Sequence, residues 1–573
     1  MKKNYLLEPL RGQRTLMGFM VLMCWCITVA GNLVGANTDW FLSALLPLFD
    51  CYLACVLAWL LQKVRMGWLV TVAAVVLLGG ELFTVVYHHS NYSVHVMQLI
   101  METNGQESSE LLQTALKLPL TWGGIALTAA LGGLAYLLGR WSRKTFRYKR
   151  VAVWVVMLLI GWSGIRQVSA YSKLIHCFRC QDASECANPQ YVPHLNTPGV
   201  RFLYGLAFNR AFYRELDVLE QSVAQTTVDS CSYRSPLIVL VIGESYSKHH
   251  SQLYGYPRPT TPRLKVWEER GQLVIYQDAV SPYNFTSNAF RMMFSTWDDD
   301  DQDSWTAHTL FPAVFKKAGY EVHFVTNQFT LAQTDLWSMA GGTIFNRQGL
   351  SDLQFTTRNA NTHQYDEELL GDIPETDSLV AHPTLLIVHL IGQHVQYCDR
   401  YPPEFAYFQA ADTQASFGGR QGQETVAHYD NATRYNDYVV DSLLQRLKDQ
   451  DAIVLYLSDH GEEVYDWRDQ FERTNEEEVL PEVAHYQFEI PLMFWMSERY
   501  LQTHPEVAKA VRDGARKPFF SSDLPQVLFY LGGIRTREYH EHHNILSPEY
   551  DMKRRRMLRG EVEYSDLYKP RNS

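Results

Sequence analysis

The chain has 573 residues, more than the ~250 to 300 at which a single hydrophobic core usually stops growing, so its length predicts two domains. The formal net charge is −11, and the excess of acid lies in the C-terminal region, which argues against a nucleic-acid partner. The apolar residues are concentrated in the first 170 residues, which excludes an ordinary soluble domain there.

The N-terminal region contains five long apolar segments, at residues 16–36, 41–62, 67–87, 121–139 and 151–168. Each approaches the ~20 residues that a helix needs to cross a bilayer. A cleaved signal peptide is disfavoured because the first segment starts late, lacks a small-residue cleavage site and is followed by four more. We therefore predict a transmembrane domain of five helices over residues 1–170.

The short loops between these segments predict the orientation. The segments MKKNYLLEPLRGQR, QKVRMG and GRWSRKTFRYKR are basic, whereas NTDW and residues 88–120 carry almost no Lys or Arg. Basic loops stay on the cytoplasmic side, so everything after about residue 170 is expected outside the cytoplasmic membrane. Residues 171–232 are predicted to form a linker with interfacial helices, and residues 233–573 a soluble domain.

The nine cysteines divide along the same boundary. Four lie in predicted spans and are expected to behave as small apolar residues: Cys24, Cys26, Cys51 and Cys55. Five lie outside, where an oxidising compartment permits at most two disulfides: Cys177, Cys180, Cys186, Cys231 and Cys398. The segment CFRCQDASEC also resembles a metal knuckle, but it lacks a fourth nearby ligand, so disulfides are favoured.

The outside domain alternates apolar β-branched runs with helical patterns. SPLIVLVIGES, EVHFVTNQ, TLLIVHLIGQH and AIVLYLSDH have the form of buried strands. HTLFPAVFKKAGY reads as an amphipathic helix that stops at Gly319, and the stretch ETVAHYDNATRYNDYVVDSLLQRLKDQ as a longer one. This alternation predicts an α/β domain with a largely parallel sheet covered by helices.

Polar residues follow three of the four predicted strands. They are Glu244, His394 and the pair Asp459 and His460, which begin the acidic stretch after AIVLYLS. Parallel strands bring their carboxyl ends to one edge, where ligands bind in such sheets. Read alone, LSDHGEEVYD is a solvated acidic turn. Read with the other strand ends, it is part of a metal site.

A zinc ion suits carboxylate and imidazole ligands, and a catalytic zinc site keeps one position open for an oxygen that must become a nucleophile. Thr286 and Ser287 follow the turn-like SPYN and precede an apolar helical pattern, where backbone N–H groups can bind an anion. The alternative interpretation makes Thr286 a plain helix N-cap.

Five ordered blocks then carry a family resemblance: VIGESYSKHHSQLYGYPRPTTPRL, FTSNAFRMMFS, HLIGQHVQY, YDNATRYNDYVV and LSDHGEEVYD. They resemble the membrane-bound phosphoethanolamine transferases of Gram-negative bacteria, within the alkaline phosphatase and sulfatase superfamily. The likeness covers nearly the whole chain and is nearest to the subgroup that modifies the lipopolysaccharide core.

The resemblance implies one zinc ion, with a second left open, and a zinc site made of Glu244, Thr286, Asp459 and His460, with Thr286 as the nucleophile. It implies substrate contacts at four further positions: His394, His485, Thr103 and Glu107. His485 lies in VAHYQFEIPLMFW, and Glu107 is equally compatible with a solvated loop acid. The approach SPYNF and Met292 depart from the family pattern, so disulfide pairing cannot be carried over.

The implied reaction transfers phosphoethanolamine from phosphatidylethanolamine to lipopolysaccharide or a related envelope glycan, through an ester on Thr286. The expected location is the inner membrane, as a multi-pass monomer with its catalytic domain in the periplasm. The alternatives are a phosphate-ester hydrolase, a glycerophosphate transferase and a non-catalytic membrane sensor. A sulfatase is disfavoured because no C/S-x-P-x-R motif surrounds Thr286.

Overall fold

The computed structural model describes residues 7–33, 45–88, 91–92, 119–145, 149–180, 186, 197–298, 300–301, 303–328, 344–413, 417–473 and 479–568. The chain divides into two compact units, Met1–Leu216 and Asp217–Ser573. Each unit has its own core and is described by itself.

The first unit is helical throughout its described elements, which are α1 (Glu8–Gly12), α2 (Arg14–Leu33), α3 (Pro47–Gln62), α4 (Trp68–His88), α5 (Pro119–Thr145), α6 (Lys149–Arg179) and α7 (Pro198–Ala224), the last of which continues into the second unit. Four described segments are long and apolar enough to cross a membrane: Arg14–Leu33, Trp68–Val85, Thr121–Trp141 and Val153–Arg179. The predicted span 41–62 corresponds to α3, a shorter apolar helix of 16 residues.

The helices of the first unit pack through apolar side chains. Met23, Ile27 and Val85 are almost completely buried in one cluster, and Cys24, Cys51 and Cys55 lie in the same cluster, as small apolar residues should. A charged pair is also buried there. Glu81 Oε1 lies 2.6 Å from Arg201 Nε, so the acid in α4 has a basic partner inside the apolar unit.

The structure contradicts the expected disulfides. All nine cysteines lie among the described residues, and all are free thiols. Cys177, Cys180 and Cys186 are buried together against Leu174 and Tyr204, whereas Cys398 is exposed. The five cysteines after residue 170 therefore do not form two disulfides with one remaining thiol. Three of the five thiols serve as packing groups here.

The second unit is built on a seven-stranded sheet, whose strands are β1 (Leu237–Gly243), β2 (Leu273–Tyr276), β3 (Glu321–Thr326), β4 (Thr357–Arg358), β5 (Thr384–His389), β6 (Ala452–Ser458) and β7 (Leu492–Met496). The hydrogen-bonded order is β2-β7-β6-β1-β5-β3-β4. Within this sheet, β7 runs antiparallel to both of its neighbours, and the remaining pairs are parallel. The largely parallel sheet is as predicted.

Helices lie between these strands and after the last of them: α8 (Pro262–Glu269), α9 (Thr286–Phe294), α10 (Phe311–Ala318), α11 (Gln348–Gln354), α12 (Asp366–Leu369), α13 (Thr376–Leu379), α14 (Gly419–Leu447), α15 (Pro481–Gln487), α16 (Glu498–Thr503), α17 (Pro505–Gly514) and α18 (Leu524–Gly532). Three two-stranded pairings lie outside the main sheet: Ser230–Cys231 with Ile534–Arg535, Ala279–Val280 with Phe519–Phe520, and Met557–Leu558 with Val562–Glu563.

Local sequence explains two of these helices. Helix α10 ends because Gly319 adopts a φ of +97°, a left-handed conformation that favours glycine and stops a helix. Helix α14 buries the predicted apolar stripe against the sheet core: Val439, Val440, Leu443, Leu444 and Leu447. Strands β1 and β6 are buried at every residue, as continuous apolar runs require.

Candidate active site

The register of the sheet brings two acidic strand ends together. Gly243, the last residue of β1, pairs with Ser458, the last residue of β6. The next residues are therefore neighbours, and they are Glu244 and Asp459. Both lie at the carboxyl edge of the sheet, where the sequence predicted them.

Four side chains converge at this edge. Thr286 Oγ1 lies 3.2 Å from Glu244 Oε1 and 3.2 Å from His460 Nε2. His460 Nε2 in turn lies 3.4 Å from Glu244 Oε1 and 3.0 Å from Asp459 Oδ2. The two carboxylates and the imidazole are completely buried, so two acids and one base meet without access to water.

The helix that carries Thr286 sets the direction of its hydroxyl. Thr286 is the first residue of α9, and the N-cap is Phe285, which makes no side-chain cap bond. Thr286 is therefore not the N-cap, and its hydroxyl points to the acids instead. Ser287, the other hydroxyl that the sequence offered, is exposed.

Electrostatic coupling within the cluster is strong. Burial alone would raise the pKa of Glu244, but the hydrogen bond and charge of His460 outweigh it and hold that pKa well below its ordinary value. Burial and the neighbouring charge of Glu244 raise the pKa of Asp459. For His460, burial opposes protonation, but Asp459 outweighs it and raises the pKa to about 9. Glu244 and Asp459 therefore favour a positive charge beside them, whether a protonated imidazole or a bound cation.

Backbone conformation supports the acids. Ser245 has a φ of +56°, which is uncommon for a residue with a side chain and recurs at functional sites. Its N–H donates to Asp459 Oδ1 at 3.1 Å, and its hydroxyl donates to Glu244 Oε1 at 2.9 Å. Gly392 passes so close that a Cβ there would lie 2.8 Å from the carbonyl oxygen of Glu244, so only glycine fits.

The donor set fits a zinc ion. One oxygen each from Glu244 and Asp459 and one nitrogen of His460 lie within 4.8 Å of one another. Asp459 Oδ2 is buried, and although His460 Nε2 lies 3.0 Å away, no donor among the described residues meets it with hydrogen-bond geometry, which leaves this oxygen available as a ligand. Two carboxylates and one imidazole, with a hydroxyl beside them, match the oxygen and nitrogen ligands that zinc accepts.

The other acids of LSDHGEEVYD do not belong to the ligand cluster. Glu462 accepts a hydrogen bond from Tyr397 at 2.5 Å. Glu463 binds Arg468 through both of its oxygens, at 2.7 and 2.9 Å. Asp466 Oδ1 lies 3.1 Å from His250 Nε2. These acids are held by protein partners, and they fix the turn that presents Asp459 and His460.

The structure separates the two predicted histidines. His394 is near enough to Glu244 for its charge to lower the pKa of that acid. His485 lies in α15, where its Nδ1 is 3.0 Å from Glu489 Oε1 and its ring packs on His249. None of its contacts within the described residues reaches the zinc-site residues. Lys248 also lies 2.6 Å from Glu489, so this second cluster is an ion-paired group. The predicted contacts Thr103 and Glu107 fall outside the described residues.

Sequence reasoning missed two residues at the centre. Gln328 donates through Nε2 to Glu244 Oε2 at 3.1 Å and to the carbonyl of Leu390 at 3.0 Å. Arg473 places Nη1 3.3 Å from Glu244 Oε1 and 2.6 Å from His460 Nε2. Gln328 could have been found, because it follows β3 at the same sheet edge. Arg473 lies in the charged stretch FERTNEEE, which carries no such signal.

The fold and these side chains define the class: an alkaline phosphatase- and sulfatase-like α/β domain with a metal-ligand cluster and a threonine at the sheet edge. The family model described as Sulfatase matches residues 236–531, just over half of the chain. The chain belongs to this sulfatase family.

Curated relatives carry more specific names. Phosphoethanolamine transferase EptC of Escherichia coli O18:K1:H7 is 30% identical over 321 residues, which is 55% of this chain and 53% of that protein. Kdo(2)-lipid A phosphoethanolamine 7''-transferase of Escherichia coli K12 is 29% identical over 279 residues, 48% of this chain and 46% of that protein. The chain thus matches about half the length of these relatives.

Two solved structures are similar in fold. The C-terminal periplasmic domain of EcEptC from Escherichia coli, in complex with Zn, is 26% identical with a TM-score of 0.50, and the match covers 60% of this chain and 96% of that one. The integral membrane protein lipooligosaccharide phosphoethanolamine transferase A from Neisseria meningitidis is 18% identical with a TM-score of 0.50, covering 92% of this chain and 97% of that one. The second likeness extends the shared fold to the apolar helices.

Proposed function

We propose that this protein is a zinc-dependent phosphoethanolamine transferase. It takes phosphoethanolamine from phosphatidylethanolamine and gives it to an envelope glycolipid, either lipid A or the lipopolysaccharide core. The observation that carries the proposal is the position of Thr286 Oγ1, 3.2 Å from both a buried carboxylate oxygen and a buried imidazole nitrogen at the carboxyl edge of the sheet. The names of the curated relatives and the zinc complex of one of them support it.

Glu244, Asp459 and His460 would hold the ion, with Thr286 beside it. When bound, zinc supplies Lewis acidity that offsets negative charge on the reacting oxygens. The chain itself orients the nucleophile. The hydroxyl of Thr286 already hydrogen bonds to Glu244, so its proton has an acceptor when Oγ1 attacks.

In the first step Thr286 Oγ1 forms a bond to phosphorus, and the bond from phosphorus to the glycerol oxygen breaks. Diacylglycerol leaves once that oxygen has gained a proton, and phosphoethanolamine stays as an ester on Thr286. In the second step an acceptor oxygen attacks the same phosphorus, gives up its proton, and Thr286 regains its own. Positioning and charge stabilisation supply most of the rate enhancement in such transfers.

His394 is the group we propose for the leaving oxygen. Burial lowers its pKa in the free protein. A bound phosphate adds negative charge beside it, which favours the protonated imidazole that can act as an acid. His485 is not assigned this role because it pairs with Glu489 in the separate cluster. Thr103 and Glu107 remain proposed contacts for the ethanolamine headgroup.

Because the donor is a lipid, the apolar helices would keep the catalytic unit at its substrate. We propose a multi-pass protein of the inner membrane of a Gram-negative bacterium, with residues 233–573 in the periplasm. The four described span-length helices and the basic loops between the apolar segments support this placement.

The test is a search for the covalent adduct. Purified full-length protein is incubated with phosphatidylethanolamine, quenched and digested, and the peptide that contains Thr286 is analysed by mass spectrometry. We expect a phosphoethanolamine-sized increase that is abolished by Thr286→Ala and by chelation but retained in Ser287→Ala, the matched control one residue away. Release of diacylglycerol without an adduct, even with acceptor withheld, would refute the covalent mechanism.

A further inference from the structure

Arg473 is a buried guanidinium at the centre of the site. Its side chain is 12% exposed. Nη1 lies 3.1 Å from Ser245 Oγ and 3.3 Å from Glu244 Oε1, and Nε lies 3.6 Å from Glu462 Oε2. It thus reaches the residues at the ends of both β1 and β6 from a loop that precedes α15.

The buried carboxylates of the site require more positive charge than one metal ion supplies, and Arg473 can supply it. Three carboxylates are completely buried there: Glu244, Asp459 and Glu462. Buried carboxylates are strongly unfavourable without partners. One divalent ion held by Glu244 and Asp459 leaves Glu462, whose closest basic group is Arg473. The third buried acid thus has a cationic partner in the chain itself and does not require a second metal.

The guanidinium also lies where a phosphoryl group must bind. Arg473 Nη1 and Thr286 Oγ1 share two neighbours, Glu244 Oε1 and His460 Nε2. An ion held by His460 Nε2 would displace the guanidinium from that atom, and Ser245 Oγ and Glu462 Oε2 would remain as its partners. Arginine has five N–H donors in a planar fork, more than these anchors accept, and the fork matches phosphate oxygens.

We propose that Arg473 binds a non-bridging oxygen of the transferred phosphoryl group and supplies the second positive charge of the site, so that the reaction uses a single zinc ion. This inference rests on the proposed function, since it names a further catalytic residue for that reaction. The arginine changes no covalent bond. It stabilises the charge that the phosphoryl oxygens carry while phosphorus passes from the glycerol oxygen to Thr286.

The test uses full-length protein in detergent with phosphatidylethanolamine. Arg473→Gln removes the charge, Arg473→Lys keeps it without the fork, and Arg468→Gln is the matched control, since Arg468 lies in the same loop but binds Glu463. Bound zinc is measured by elemental analysis, the rate of adduct formation on Thr286 by quenched single turnovers, and binding of inorganic vanadate by calorimetry.

We expect one zinc ion per chain in all four proteins. Loss of one oxyanion donor typically slows a reaction about 10²- to 10³-fold, so Arg473→Gln should slow adduct formation by that factor and weaken vanadate binding at least tenfold. For Arg473→Lys, the rate of adduct formation and the vanadate affinity should lie between those of wild type and Arg473→Gln. For Arg468→Gln, both should stay within threefold of wild type.

Three results would overturn the inference: two zinc ions per wild-type chain, loss of zinc in Arg473→Gln, or vanadate binding that Arg473→Gln leaves unchanged. The last result is read without turnover. If the wild type formed no adduct, the proposed function would fail by itself, and vanadate binding would still decide the role of Arg473.

Discussion

The stability of the catalytic unit should depend on pH through His250. This imidazole is 3% exposed and lies between two carboxylates, with Nδ1 2.8 Å from Asp430 and Nε2 3.1 Å from Asp466. Burial alone would lower its pKa, but Asp466 and Asp430 outweigh burial and raise it from 6.5 to about 10. Because Asp466 ends the acidic turn and Asp430 lies in α14, the protonated ring joins the site loop to the helix.

The size and sign of the effect follow from that shift. The folded state holds the proton more tightly than the unfolded state, so the stabilisation is fully present below pH 6.5 and is lost as the pH rises towards 10. Each pKa unit corresponds to about 1.4 kcal/mol, which gives an upper limit of about 5 kcal/mol. Removing one member of a buried ion pair costs about 3 to 5 kcal/mol, in agreement.

The assay is urea unfolding of the solubilised protein, followed by tryptophan fluorescence at pH 6, 8 and 10. His250→Gln should lower the free energy of unfolding by about 3 to 5 kcal/mol at pH 6 and by much less at pH 10. His542→Gln, at an exposed histidine, is the control and should match wild type at each pH. A difference between wild type and His250→Gln that stays constant from pH 6 to 10 would refute the reasoning, because the proton on His250 would then contribute no pH-dependent stability in this range.

Two further predictions concern the metal centre. Asp459→Asn preserves the shape of the side chain but removes a ligand charge, so bound zinc and adduct formation should both be lost. Glu463→Gln should keep zinc and lower the free energy of unfolding by about 1 to 3 kcal/mol, because Glu463 binds Arg468. Equal loss of zinc in both variants, by elemental analysis, would contradict this division of the turn. Gln328→Leu removes the amide that donates to Glu244, so zinc affinity in a chelator competition should fall about 10- to 100-fold. An unchanged affinity would mean that Glu244 is oriented without Gln328.

The sheet and the positions of Glu244, Asp459 and His460 at its edge can be predicted from the sequence, because one signal serves for both. Continuous apolar runs predict buried parallel strands, and Glu244 and Asp459 immediately follow two of them. The same rule points to Gln328 beyond β3, but an amide is not a typical zinc ligand, so the search for acids and histidines passes over it. The pattern predicts where each strand ends, but it does not predict the strand order that makes two of these ends adjacent.

Residues on long loops could not be found in this way. Arg473 lies in a stretch with acids on both sides, which by itself indicates a solvated loop, and only the tertiary structure turns its side chain inward. The family resemblance, and not the sheet edge, assigns His485 a substrate contact. In the structure that helix directs it to Glu489, four residues later. The apolar helices were predictable from length alone, but the free thiols were not, because proximity of cysteines depends on packing.

The separation of the ligands along the chain has a consequence for how the protein matures. Ser245, which supports Glu244, and Asp459 meet across 214 residues. Contacts this distant form late, since a long loop must close first. In the proposed zinc site, a fragment that ends before His460 would lack a ligand, so the ion would not nucleate folding from the N-terminal side. Zinc binding would then require that β6 has already paired with β1, and it would report assembly of the sheet.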